Sequence, residues 1–245
     1  AAGATTLFAA GKVVDTKGIE LSETGICISK NPDPAISDTK VASGSKELSL
    51  FLRINGLEPA TEYYIRAYAT NIYGATTYGD NVKVTTIQKG NVTYTLSQSS
   101  SPTAEESAAY ARIKTAFDAA VAYYNEFTSI TKTLTVNYVP SVPTADGNIN
   151  GNIRVGANTG YQKTGTALHE IAHTVGVGTH SYWTGTLIKN GVYQGVFANK
   201  QLRFMTRSST ESLKGDNLHF WPYGINGAHE DNGDEMQYIT NVMIM

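Results

Sequence analysis

A chain of 245 residues, 41% hydrophobic and 16% charged, can bury one large core or two smaller ones. Its formal net charge of −2 provides no strongly positive field, which counts against nucleic acid and anionic membranes as partners. No run approaches the roughly 18 consecutive apolar residues of a membrane span, the N-terminus lacks the order of an export signal, and one cysteine, Cys27, excludes an intramolecular disulfide or a cysteine zinc cage. All five histidines, His169, His173, His180, His219 and His229, lie in the last third of the chain. Imidazole chemistry, if present, belongs there.

From Ala4 to about Ile87 the chain reads as short threonine- and tyrosine-rich runs without helical period, an all-β pattern. Turn signals at 15–18, 31–34, 56, 71–74 and 79–81 space these runs as in a sandwich of about seven strands. Cys27 falls in the run Gly25-Ile26-Cys27-Ile28, which predicts a buried strand thiol. The stretch Leu57-Glu58-Pro59-Ala60-Thr61-Glu62-Tyr63-Tyr64-Ile65-Arg66-Ala67-Tyr68-Ala69-Thr70-Asn71 closely resembles the L-x-P-x-T-x-Y-x-x-R-x-x-A-x-N run of fibronectin type III domains. That resemblance implies a fibronectin type III-like β-sandwich over residues 1–88. Tyr63 would be its corner residue, with a hydroxyl bonded to backbone near the preceding turn. Such a module acts as a spacer or presents a ligand surface.

After a linker at 89–91 the pattern changes, and a second domain is expected over 92–245. Residues 92–96 read as a strand. Ser101-Pro102 followed by Glu105 and Glu106 marks a helix start. Apolar residues at Ala109, Ile113, Phe117, Ala120, Val121, Tyr124 and Phe127 recur at three- and four-residue spacing, so a helix over 102–128 lays one stripe on a core. Residues 134–139 and 152–155 read as strands separated by a proline-, asparagine- and glycine-rich loop at 140–151. Lys189-Asn190-Gly191-Val192 carries the two-residue hairpin signal.

The segment Thr164-Gly165-Thr166-Ala167-Leu168-His169-Glu170-Ile171-Ala172-His173-Thr174-Val175-Gly176 contains H-E-x-x-H in a run that stops at glycine. A helix over 165–175 puts both imidazoles on one face, one turn apart, where each can reach a tetrahedral zinc ion at about 2.0–2.1 Å. Glu170 projects near the same face, placed to act as general base on an activated water. Leu168, Ile171, Ala172 and Val175 cover the other faces, as in a buried helix. A catalytic zinc site needs a third protein ligand, and His180 is the leading candidate.

H-E-x-x-H-x-x-G resembles the start of the zinc motif of the metzincin metallopeptidases. Here the motif runs one residue longer, to His180, with Thr179 where that family has its third histidine. The order of strands and helices over residues 91–180 is also similar to that family. The resemblance implies an α+β zincin, a glycine break at Gly176 that turns the chain beneath the metal, and an extended peptide substrate paired along residues 153–156. It also implies a methionine turn, for which Met205 is the candidate among four methionines that equally suit core packing. A thermolysin-like site would instead recruit Glu211. His219 reads as packed or cleft-lining, or as a replacement ligand, and His229 as solvated. Tyr182, Tyr193 and Tyr223 are available to steady an oxyanion. Trp183 and Trp221 would line a pocket or pack in a core, and residues 236–245 read as a final helix.

The combined expectation is a multidomain protein, an all-β fibronectin type III-like sandwich followed by an α+β metzincin-like domain. It would act as a zinc-dependent endopeptidase, extracellular or tethered at the cell surface, on protein or peptide substrates with or without glycans. Zinc ion would be its cofactor, His169, His173 and His180 the ligands, and Glu170 the catalytic base. A glycan- or glycoprotein-binding protein with a non-catalytic zincin domain, and an adhesive protein with a vestigial motif, remain open beside it.

Overall fold

The computed structural model describes residues 2–206 and 209–221. The chain forms two compact units, one of residues 1–90 with 125–129, the other of 91–124 with 130–245. The first is β-rich and the second mixes helices and strands.

In the first unit, β1 (Leu7–Lys12) pairs with β4 (Ser49–Ile54). A second antiparallel sheet orders β3 (Thr39–Ala42), β2 (Leu21–Ser29), β5 (Glu62–Asn71) and β6 (Thr76–Tyr78), and β7 (Val82–Thr85) pairs with β5 as well. Alternate residues of both sheets, Leu7, Ala9, Leu50 and Ile54 from one and Ile26, Ile28 and Tyr63 from the other, meet in one apolar core, the period-two burial that half-buried strands require. The Tyr63 hydroxyl accepts the Glu58 amide at 3.0 Å, which is the corner contact expected for it. Cys27 is buried and unpaired, and burial pushes its thiol up to about 11.

In the second unit, the sheet runs β10 (Ala145–Gly147), β11 (Asn152–Val155), β9 (Thr131–Tyr138), β8 (Asn91–Ser97). β8, β9 and β11 are mutually parallel, and β10 runs antiparallel to β11. Helix α1 (Ala104–Phe127) joins β8 to β9. It starts two residues later than its proline suggested, because Thr103 forms a capping box. The Thr103 hydroxyl accepts the Glu106 amide, and the Glu106 carboxylate accepts the Thr103 amide. The stripe Ile113, Phe117, Ala120 and Tyr124 packs with Val92, Leu134, Val136 and Ile153 of the sheet and with Ala167, Leu168 and Ile171 of α2 (Thr164–Thr174). The fully buried Tyr124 donates its hydroxyl to the Leu168 carbonyl at 3.1 Å, tying the two helices together.

Two sequence expectations change here. The loop at 140–151 contains strand β10, too short and too poor in β-formers to read as a strand. Consequently residues 153–155 are not a sheet edge: β11 has β9 on one side and β10 on the other, and among the described residues the terminal strands are β10 and β8. Beyond α2 lie β12 (Ile188–Lys189), β13 (Val192–Tyr193), helix α3 (Val196–Thr206), β14 (Lys214–Gly215) and β15 (Phe220–Trp221), the four strands forming a small sheet in that order. The β12–β13 turn has Asn190 and Gly191 both left-handed, as the hairpin signal predicted. A separate small core of Trp183, Ala198, Leu202 and Leu213 supports this part. No helix among the described residues is long and apolar enough to cross a membrane.

Candidate metal centre

Helix α2 buries Ala167, Leu168, Ile171 and Ala172, which fixes its rotation and leaves His169, Glu170 and His173 on a cavity of about 270 Å³. The helix ends in a Schellman motif: the Val177 amide donates to the Ala172 carbonyl at 3.1 Å and the Gly176 amide to the His173 carbonyl at 3.3 Å. Gly176 holds φ at +114°, a backbone region costly for other residues. At the other end Lys163, the N-cap, makes no side-chain cap.

The third imidazole is His219, not His180. His169, His173 and His219 each offer a ligand atom, and these atoms all lie within 4.8 Å of one another. Their ring centroids are 4.7, 5.0 and 5.1 Å apart. His180 is exposed, its Nδ1 accepting the Tyr182 amide at 3.1 Å. The reason is the path after the helix. Two left-handed glycines, Gly176 and Gly178, turn the chain so that Thr179 lines the cavity and donates to the His173 carbonyl, and the next residue points away.

His219 arrives from another segment, and its delivery is specific. The Asp216 carboxylate accepts the amides of Leu218 and His219 at 2.8 and 2.7 Å, while the Trp183 indole donates to the Asp216 carbonyl at 2.9 Å. Gly178 seats this turn against the end of α2, since a Cβ there would stand 2.0 Å from the Leu218 carbonyl oxygen. His219 is 9% exposed, His173 8% and Glu170 5%. Asp216 Oδ1 also lies 3.8 Å from His219 Nδ1, a carboxylate close to the imidazole but beyond hydrogen-bond reach.

The donor set fits a zinc ion. His173 Nδ1 sits 2.8 Å from the Val177 carbonyl, which can only accept, so Nδ1 carries the proton and neutral His173 presents a lone pair at Nε2. That atom is 3.1 Å from His169 Nε2. Two nitrogens of a tetrahedral zinc site stand about 3.3 Å apart, so the helix pair is already close to ligand spacing. Three clustered imidazoles in a mostly buried pocket repel one another when protonated and suit a cation when neutral.

The other candidates fall elsewhere. Glu211 lies outside the cluster, its carbonyl held by Arg203 Nε at 2.8 Å. Tyr182 is 56% exposed, and Tyr193 packs on Trp183 with ring centroids 5.7 Å apart. Neither lines the cavity. Trp183 is a core residue at 3% exposure, and Trp221 lies in β15. Met205 belongs to α3, not a loop. Tyr223, His229 and the expected final helix at 236–245 lie outside the described residues. The sequence reading overlooked two cavity elements, Tyr161 and residues 144–147 on and beside β10.

No family model matches this sequence, and no curated protein does. Among solved structures, the sixth fibronectin type III domain of human fibronectin type III domain containing protein 3 is 23% identical, covering 41% of this chain and 80% of that one at a TM-score of 0.27. A polysaccharide deacetylase from Bacillus cereus is 13% identical over 57% of this chain and 52% of that one, at 0.23. A 2,6-sialyltransferase from Photobacterium is 10% identical over 57% and 25%, at 0.20. The match spans about half or less of each of these two enzymes. At such scores the fold is read from the chain's own strands and helices.

Proposed function

We propose that residues 92–245 form a metzincin-like zinc endopeptidase domain, preceded by a fibronectin type III-like module over 1–88, in an extracellular or surface-tethered protein. The observation that carries this reading is the convergence of His169, His173 and His219 beside the buried carboxyl of Glu170. The three imidazoles would hold the ion. Zinc at such a site supplies Lewis acidity toward a carbonyl and toward water. Glu170 would take the proton of the attacking water and return it to the leaving amine, work for which burial beside a cationic centre suits a carboxylate. An extended peptide would add to the outer edge of β10, a terminal strand among the described residues, whose residues line the same cavity, exchanging main-chain hydrogen bonds.

Elemental analysis after purification without chelator tests the ligand set. We expect about one zinc per chain, lost in His219→Ala and kept in His180→Ala. Glu170→Gln should keep the metal and lower peptide hydrolysis about 10²–10⁴-fold. Full hydrolysis in that variant would remove Glu170 from the mechanism, and a wild type without zinc would end the enzyme reading.

A second reading is a glycan- or glycoprotein-binding protein whose zincin domain is not catalytic. It is favoured by a separate concavity of about 490 Å³ in the first unit, with Tyr78, Asn71 and Thr77 among its lining residues, a mixture of ring and hydrogen-bonding groups suited to sugars. Glycan-array binding that is weakened by Tyr78→Ala and indifferent to Glu170→Gln, with no peptide hydrolysis, would select it.

A further inference from the structure

We propose that Tyr161 is the phenol that binds the carbonyl oxygen of the scissile bond, an assignment that rests on the endopeptidase reading above. Hydrolysis of an amide places negative charge on that oxygen, and a donor already in position stabilises the transition state more than the ground state. Of the polar side chains that line the cavity beyond the cluster and Glu170, most are engaged. Asp146 is bridged by Arg154, the Thr144 hydroxyl donates to the Ala145 carbonyl at 3.2 Å, and the Thr179 hydroxyl donates to the His173 carbonyl. The hydroxyls of Tyr161 and Thr166 make no hydrogen bond among the described residues.

Position separates these two. Thr166 sits on α2, one turn before His169, on the helix that already carries the imidazoles, and its side chain is short. Tyr161 extends a long, rigid arm from a different wall, the single 3₁₀ turn Thr159–Tyr161. That turn is held on both sides. The Asn158 side chain accepts the Gly160 amide at 2.9 Å and the Asn158 carbonyl accepts the Tyr161 amide at 3.0 Å. The next residue, Gln162, is 5% exposed, donates to the Gly156 carbonyl at 2.9 Å and accepts from Arg112 at 2.6 Å. With its backbone pinned, Tyr161 has little more than its own side-chain torsions to order on binding, which is the preorganisation an oxyanion donor requires.

The test compares zinc-loaded wild type, Tyr161→Phe, Thr166→Val and Glu170→Gln. Steady-state cleavage of a peptide selected on the wild type is read beside calorimetric binding of a phosphinic dipeptide, whose tetrahedral oxygens imitate the transition state. Tyr161→Phe should keep its zinc and hold KM within about twofold. It should lower kcat about 10²–10³-fold and weaken phosphinate binding about tenfold or more. Thr166→Val should match the wild type. Unchanged kcat and phosphinate affinity in Tyr161→Phe would overturn the assignment and leave the endopeptidase reading intact, provided Glu170→Gln is inactive. Loss in Thr166→Val instead would move the role to Thr166 and also overturn it. A zinc-loaded wild type that neither cleaves peptides nor binds the phosphinate would overturn both.

Discussion

Single residues decide whether the imidazole cluster assembles. Gly178 has a positive φ and a backbone packed against Leu218, so Gly178→Ala should push the His219 turn outward. Zinc affinity is expected to fall about 10–100-fold, the range seen when a ligand loses its support, with the His180→Ala protein as the unaffected control; competition with a chromogenic chelator measures it. Cys27 offers a contrasting case. Its thiol is buried and pushed up to about 11, and the thiolate is the reactive form. Labelling with a disulfide reagent at pH 8 should therefore wait on unfolding and accelerate by orders of magnitude in denaturant; fast labelling of the folded protein would contradict the burial. This thiol was legible from its apolar neighbours alone. The third imidazole of the cluster was not, because nothing in H-E-x-x-H says which distant histidine the turn at Asp216 will deliver.

Helices and strands were legible where period and caps agree. The stripe of α1 runs over sixteen positions from Ala109 to Tyr124, long enough for period to dominate, whereas its start was decided by a capping box invisible to the proline rule. Thr103→Ala removes one half of that box and should cost about 1 kcal/mol in chemical denaturation, while Ser101→Ala should cost nothing measurable. Strand β10 marks the opposite limit. Three residues, Ala145-Asp146-Gly147, have no periodicity to read and become a strand because β11 offers them an edge. The expectation for a substrate-pairing strand therefore moves one strand outward, from residues 153–156 to β10.

At the scale of the molecule, each unit has its own core, and the segment carrying His219 has a third. Trp183 packs in that third core and donates to the Asp216 carbonyl, so a metal shared by α2 and His219 would couple its fluorescence to metal occupancy. Chelation of the zinc-loaded protein should shift tryptophan emission and His219→Ala should reproduce the shift without chelator; identical spectra with and without chelator would show that the ion does not hold this segment. The first unit has a different sensitivity. Glu126 accepts from the Thr5 amide and from the hydroxyls of Thr5 and Thr6. Burial opposes ionisation there, yet these donors together hold its carboxyl below the ordinary value of 4.5. A folded pKa below the unfolded one adds stability above about pH 4.5, which disappears as acid protonates the folded carboxylate. Glu126→Gln should lower stability at neutral pH by about 1–3 kcal/mol and flatten the acid limb of the stability curve.

The sequence by itself determined the two-part organisation, the helix bearing His169, Glu170 and His173, and the corner contact of Tyr63, because each depends on residues near one another in the chain, where spacing and side-chain type act directly. Only the tertiary structure decided the identity of the third imidazole, the terminal strand beside the cavity and the phenol in the cavity. Those depend on which distant backbone segments can approach one another, and that is set by packing: a glycine that admits the Leu218 carbonyl, and an asparagine-capped turn that aims Tyr161.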